Sequence, residues 1–215
     1  MLGVMFDKKH SYYELGLWLT KYPEISPPTP KTRFVDVPGM DGALNMSKVL
    51  TGHTMYNRRT MQLEFAILAP RMMWPDIHSD IMDQLHGQDV SIILDDDQEY
   101  MYTGILAVEA YDPGKVTSGV VITADLDPYK KRLKDTIRSF VVNGSLTAAV
   151  TVERMPTVPV IAASAAMTMT FGGVTYSLAA GENEFPDVIL RHDQENTFTF
   201  EGSGDVSLKY REGRF

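Results

Sequence analysis

Met61-Gln62-Leu63-Glu64-Phe65-Ala66-Ile67 sets the fold class. Met61, Leu63, Phe65 and Ile67 alternate with polar Gln62 and Glu64, and a repeat of two places the four apolar side chains on one face of a strand. Working outward toward the N-terminus, Arg33-Phe34-Val35-Asp36-Val37 also alternates. Pro38-Gly39-Met40-Asp41-Gly42 then supplies a turn, with Asp41-Gly42 as a hairpin signal. Pro23-Glu24-Ile25-Ser26-Pro27-Pro28-Thr29-Pro30 carries four prolines in eight residues, which forbids a helix and predicts an extended, solvated arm. Tyr12 to Leu19 mixes aromatic and aliphatic residues and reads as a strand.

Toward the C-terminus, one helix is predicted near 75–86. Trp74, Ile77, Ile81, Met82 and Leu85 recur at three- and four-residue spacing, Pro75 suits the first turn, and Gly87 suits the stop. Val90–Leu94 and Tyr100–Val108 read as a hairpin around Asp95-Asp96-Asp97-Gln98-Glu99, and Gly119–Leu126 reads as a further strand. A change of texture at Asp127-Pro128 predicts a boundary, giving a β domain over 1–130 and a second over 131–215. In the second, short strands are expected about every ten residues: Arg138–Val142, Leu146–Val152, Pro159–Ala163, Met167–Phe171, Val174–Leu178, Asp187–Leu190, Asn196–Glu201 and Asp205–Tyr210. Asn143-Gly144 and Gly172-Gly173 read as hairpin turns, and the spacing predicts a β-sandwich or jelly roll. The fold class is therefore mainly β with one short helix.

Composition narrows the function classes. Hydrophobic residues make up 44% of the 215 and charged residues 22%, a balance that fits a folded chain and not a disordered one. No apolar run approaches the ~20 residues of a membrane helix, and the apolar part of Met1–Asp7 is short for a signal peptide. The absence of cysteine removes disulfides, thiolate metal sites and cysteine nucleophiles together. Net charge is −8, all of it within residues 1–127, whereas 128–215 balance to zero. An acidic first half is poorly suited to nucleic acid, whose binding relies on Lys and Arg displacing counterions from phosphates.

Chemistry-bearing motifs are sparse. Asp95-Asp96-Asp97 lacks the glycine-bearing spacing of a calcium loop and reads as a solvated hairpin tip. His10, His53, His78, His86 and His192 show no metal spacing; His78 and His86 stand eight apart, too far along a helix to share an ion. Gly202-Ser203-Gly204 is the nearest approach to a nucleophile elbow, but it lies between two expected strands and reads as their turn. No phosphate loop is present. No catalytic, cofactor-binding or metal-ligating residue is assigned, and no enzyme activity is expected. Lys130-Lys131-Arg132-Leu133-Lys134 is the one basic cluster, expected as a solvated linker. Phe171, Tyr176, Phe185, Phe198, Phe200 and Tyr210 have two uses, filling a sandwich core or stacking on sugars, and the sandwich favours the core.

The order of these features resembles the distal tail proteins of long-tailed, non-contractile bacteriophages. The matching stretches are Glu14-Leu15-Gly16-Leu17-Trp18-Leu19 with the proline arm, Val35 to Gly42, Tyr56-Asn57-Arg58, the helix ending at Leu85-His86-Gly87, and Ile122 to Tyr129. Pro159, Met167-Thr168-Met169-Thr170-Phe171-Gly172-Gly173, Ala180 to Asn183 and Thr197 to Gly213 match a pattern common in tail proteins. The resemblance implies a hexameric ring at the tail tip, made by the N-terminal domain, with an outward C-terminal β-sandwich of galectin or carbohydrate-module type. It implies the tail-tube protein, the tail-tip hub and receptor-binding proteins as partners, a channel through which DNA passes without specific binding, assembly in the host cytoplasm, and no membrane partner.

Three other readings compete with the ring. A lectin-like second half would attach to host-surface sugars through its aromatics. A tail-associated glycosidase would need a carboxylate pair that no motif marks. A tail-tube or tail-terminator subunit would be a single domain, which the two textures argue against.

Overall fold

Alternating strands need a partner for their apolar face, and in this protein the sheets supply it by curling. The computed structural model describes residues 3–113 and 118–215, and the side chains of 110–113 are left out of account. The chain divides into two units, Met1–Lys130 together with Phe215, and Lys131–Arg214.

The first unit contains β1 (Val4–Phe6), β2 (Lys9–His10), β3 (Leu17–Leu19), β4 (Glu24–Ile25), β5 (Phe34–Asp36), β6 (Ala43–Asn45), β7 (Arg59–Ile67), α1 (Trp74–Leu85), β8 (Asp89–Leu94), β9 (Tyr100–Pro113) and β10 (Ser118–Leu126). Its main sheet runs β2-β1-β8-β9-β10-β7-β3, with β4 continuing along the edge of β7. Every odd residue of β7 from Arg59 to Ile67 is buried, as the alternation predicts. Phe6 of β1 and Phe65 of β7 are four positions apart in that order, about 19 Å in a flat sheet. Their rings meet edge to face at 6.2 Å, so the sheet closes around its core. Trp74, Ile81 and Leu85 of α1 enter the same core.

Two expectations change in this unit. Tyr12–Leu19 is a strand only over Leu17–Leu19; residues 11–15 form a turn, and β1 and β2 precede it. The proline arm is extended but not free. Ser26 N–H donates to the Thr60 carbonyl at 2.9 Å and Asn57 N–H to that of Thr29 at 2.8 Å, and Pro23 and Pro28 are buried. Prolines that lack donors suit such an edge, where one side needs no hydrogen bond. β5 and β6 form the expected hairpin around the Pro38–Gly42 turn, and among the described residues they pair only with each other.

The second unit contains β11 (Lys130–Arg132, of which Lys130 groups with the first unit), β12 (Thr136–Val150), β13 (Val160–Ala163), β14 (Met167–Phe171), β15 (Val174–Leu178), β16 (Gly181–Glu184), β17 (Asn196–Tyr210) and β18 (Gly213–Arg214). Its six-stranded sheet runs β15-β14-β17-β13-β16, with β12 along the other edge of β17. The Gly172-Gly173 turn joins β14 to β15 as expected.

Asn143-Gly144 and Gly202-Ser203-Gly204 are not turns. They lie mid-strand, and β12 and β17 pair without a break from Thr136↔Tyr210 to Val150↔Asn196. The even residues of β17 face inward, so Gly202 and Gly204 occupy core-facing positions. A Cβ on Gly202 would lie 2.6 Å from the Met167 Cβ, and one on Gly204 2.5 Å from the Ser164 Oγ. The glycines let the turn before β14 press onto the strand. Their φ values of 145° and 142°, with 84° at Gly144, are ones that other residues rarely adopt. Asp187–Leu190 is also not a strand: only Leu190 bridges, to Thr157. Val188 and Leu190 anchor that loop in the core, and the buried Asn196 side chain ties it down, accepting from Arg191 N–H at 2.9 Å and donating to the Val150 carbonyl at 3.0 Å.

Candidate assembly surface

The acidic tip Asp95-Asp96-Asp97 is partly solvated, with Asp96 exposed, and is also held by three segments. Asp95 faces His10 Nε2 at 3.2 Å, Asp96 accepts from the Tyr22 hydroxyl, and Asp97 pairs with Lys130 Nζ at 2.6 Å. The hydrogen bond to Asp96, aided by burial, raises the Tyr22 hydroxyl above its ordinary pKa. Tyr12 N–H donates to His10 Nδ1 at 3.1 Å, which leaves Nε2 as the protonated nitrogen facing Asp95. These carboxylates pin β2, the loop after β3 and the end of the unit to one hairpin.

The remaining motif residues have equally local roles. His86 Nδ1 accepts from Val108 N–H at 3.1 Å and closes the end of α1 onto β9. His53 Nδ1 meets the Thr51 carbonyl at 2.8 Å within its own turn. The structure brings neither His78 nor His192 into a metal-ligating group, and among the described residues no three His, Cys, Asp or Glu side chains gather as one. Ser203 lies mid-strand opposite Asn143. The basic cluster is engaged where a solvated linker was expected: Lys130 also sits over the Tyr100 ring at 4.8 Å, and Arg132 reaches Glu153 at 2.7 Å. Glu153 is shared with Arg214, also at 2.7 Å. Of the six aromatics weighed for sugar stacking, Phe171, Phe198, Phe200 and Tyr210 are in the core, and Tyr176 and Phe185 pack on each other at 4.8 Å against it.

Sequence reasoning missed Arg59. It is buried, its guanidinium lies 5.0 Å from the Tyr102 ring centre, and Nε and Nη2 have no partner among protein atoms. Burial lowers the Arg59 pKa and raises that of the Tyr102 hydroxyl. Its place in the alternation of β7, one of the five buried odd positions, was the available signal.

The outer face of the first sheet carries an open groove of about 520 Å³ lined by Glu24, Ser26, Thr60, Gln62, Glu109 and Thr123, with Ile25 as its single large apolar residue. Glu109 is the extra residue of a bulge in β9, where the register with β10 shifts, and the bulge turns its carboxylate into the groove. A groove this polar lacks the apolar walls of a small-molecule site.

Several large apolar side chains are exposed among the described residues. The β5–β6 hairpin and its flanks expose Phe34, Val35, Val37, Met40, Leu44 and Val49, and Leu50 is 94% exposed. Phe34 and Val35 point to opposite faces of one strand, so neither face of this two-stranded sheet has a core. A lone hairpin of this kind is marginal in water. Tyr13, Trp18, Leu68, Met72 and Met73 are exposed as well.

The whole chain superposes on the crystal structure of SPP1 Dit (gp 19.1), with a TM-score of 0.71, 12% identity and 100% of both chains covered. That protein is described as a paradigm of the hub adsorption apparatus in phages that infect Gram-positive bacteria. No protein-family profile and no curated protein sequence matches the chain. The likeness is one of fold, and it is the mainly β distal tail protein fold that the resemblance implied.

Proposed function

We propose that this chain is a structural component of a phage tail tip, a distal tail protein that assembles with copies of itself into a hexameric ring. The observation that carries the reading is the β5–β6 hairpin, which exposes apolar side chains on both faces and pairs with no other strand among the described residues. Such a surface is stabilised by a partner and is a hazard without one. A closed ring needs a heterologous interface, in which one patch meets a different patch on the next copy, and a projecting hairpin is suited to that. The fold likeness to SPP1 Dit over the full chain supports the same reading.

In this role the first unit, Met1–Lys130, forms the ring, and the second, from Lys131, is the outward β-sandwich. The ring joins the tail tube to the tail-tip hub and the receptor-binding apparatus within the virion, after assembly in the host cytoplasm. The open acidic groove around Glu24 and Glu109 would face the channel, where carboxylates keep DNA from adhering. The protein acts by assembly and not by catalysis. A lectin role for the second unit loses its stacking platform, because four of its six candidate aromatics are core residues.

Native mass spectrometry or light scattering over a concentration series tests the proposal. A hexamer that grows in with concentration supports it. A monomer at every concentration, which stays monomeric when tail-tube and hub proteins are added, overturns it.

A further inference from the structure

We infer that Arg59 is the receptor for a small oxyanion, which its Nε–H and Nη2–H groups grip as a fork inside the first unit. This site is independent of the ring reading. Arg59 opens β7 and points into the curled sheet, where it is 5% exposed. Its neighbours on that face are apolar: Met61 two residues on and Leu126 opposite it on β10, both fully buried. The Tyr102 ring centre lies 5.0 Å from the guanidinium carbon, and the ring offers no acceptor to the two N–H groups. The preceding residue makes the contrast. Arg58 donates from Nε to Asp125 at 2.8 Å and from Nη1 to Asp127 at 3.4 Å. No ion pair reaches Arg59 among the described residues, and Asp96 and Asp97, which act on the Tyr102 hydroxyl, are engaged by Tyr22 and Lys130.

Charge, geometry and enclosure select the ligand. Burial lowers the Arg59 pKa, but a guanidinium starts so far above neutral that it stays charged. A buried charge is costly until an opposite charge meets it, so the ligand is an anion. The Nε–H and Nη2–H bonds lie along one edge of the guanidinium plane and point the same way. That edge matches two oxygens of one carboxylate or phosphate group, and these are the two nitrogens without a protein partner. A water molecule satisfies such donors without supplying charge. Both nitrogens are shut off from solvent, so the ligand is a small ion and not a side chain of a large partner. It enters as the chain folds or as the end of β7 opens, strand ends being the parts of a sheet that open most readily.

Thermal unfolding of the full chain in chloride buffer, titrated with sodium phosphate or sodium acetate at matched ionic strength, tests the site. A ligand that binds only the folded form raises the midpoint as its concentration rises. The parent protein is expected to gain about 4 °C or more at the top of at least one series. The two arms tell a phosphoryl ligand from a carboxylate. Arg59→Met keeps an unbranched stem and removes the charge. It is expected to unfold at or above the parent's midpoint in chloride, because an apolar side chain suits those surroundings better than an unpaired charge. It should respond to neither anion beyond the general salt effect that any folded protein shows. Arg59→Lys keeps the charge without the fork and should retain less than half of the parent's shift. Equal responses from the parent and Arg59→Met overturn the proposal. If Arg59→Met does not fold, nuclear magnetic resonance of the parent's arginine Nε–H groups decides. A solvent-protected resonance that moves to saturation with phosphate or acetate supports the site, and no such movement with either anion overturns it.

Discussion

Two hairpins in this chain use similar glycine turns and meet opposite fates. β14–β15 turns at Gly172-Gly173 and lies inside a six-stranded sheet, where Met167, Met169, Phe171 and Leu178 are buried. β5–β6 turns through Gly39 and Gly42, and its Phe34, Val35 and Leu44 remain exposed. The sequences differ in the way that matters. Met167-Thr168-Met169-Thr170-Phe171 alternates strictly, one apolar face and one hydroxyl face. The alternation expected over Arg33–Val37 fails at Phe34-Val35, where adjacent apolar groups fall on opposite faces. A strand apolar on one side needs one sheet to be complete, and a strand apolar on both sides needs something on each. The first hairpin is satisfied by its own chain, whereas the second is suited to another.

The largest expected effect separates the two hairpins by readout. Phe198→Ala, in the core beside Phe171 with ring centres 4.7 Å apart, is expected to destabilise the second unit by about 3–5 kcal/mol. The double substitution Val35→Ser with Leu44→Ser is expected to change monomer stability by no more than about 1 kcal/mol, since both side chains are exposed and belong to neither core. It should instead abolish the concentration-dependent oligomer. Urea unfolding followed by light scattering measures both. A hairpin variant that unfolds as readily as Phe198→Ala would show that the hairpin is part of the monomer's core after all.

The next effect concerns the glycines that were read as turns. Gly202→Ala is expected to cost about 1–3 kcal/mol, because the new Cβ meets the Met167 Cβ at 2.6 Å and the backbone is held at positive φ. Met167→Ala should not rescue it, since the clashing atom remains; equilibrium unfolding of the single and double variants checks this.

These glycines also show where the sequence was legible. Period-two stretches such as Met61–Ile67, and the spaced apolar face of α1, state their burial directly, because each residue's side is fixed by local geometry. Gly202-Ser203-Gly204 has the composition of a turn, and its use as two core-facing positions depends on Ser164 and Met167, some forty residues away in the chain. The same holds for the tip Asp95–Asp97, whose partners His10, Tyr22 and Lys130 are set by topology and carry no motif. The exposed hairpin was legible as a hairpin; that it has no core of its own required the sheet pairing.

The smallest effect lies in the ion pairs near the start of β12. Asp135 accepts from Arg211 Nε at 2.7 Å and faces Lys209 Nζ at 3.8 Å. The Arg211 guanidinium holds the Asp135 carboxyl below its usual range. A carboxyl depressed in the folded state contributes stability above its unfolded pKa of ~3.9, and that contribution fades as pH falls through the folded value. The group is partly solvated, so the contribution is limited to about 0–1 kcal/mol. Asp135→Asn is therefore expected to lower stability slightly at neutral pH and to converge with the parent protein in acid. Salt should narrow the neutral-pH gap as well, by screening the pair. The hairpin substitutions should show neither trend in the monomer, because the side chains they remove are uncharged. Urea unfolding from pH 7 down to acid, at low and high salt, distinguishes the two: a gap between Asp135→Asn and the parent that stays constant across pH would mean that Asp135 acts by packing and not by charge.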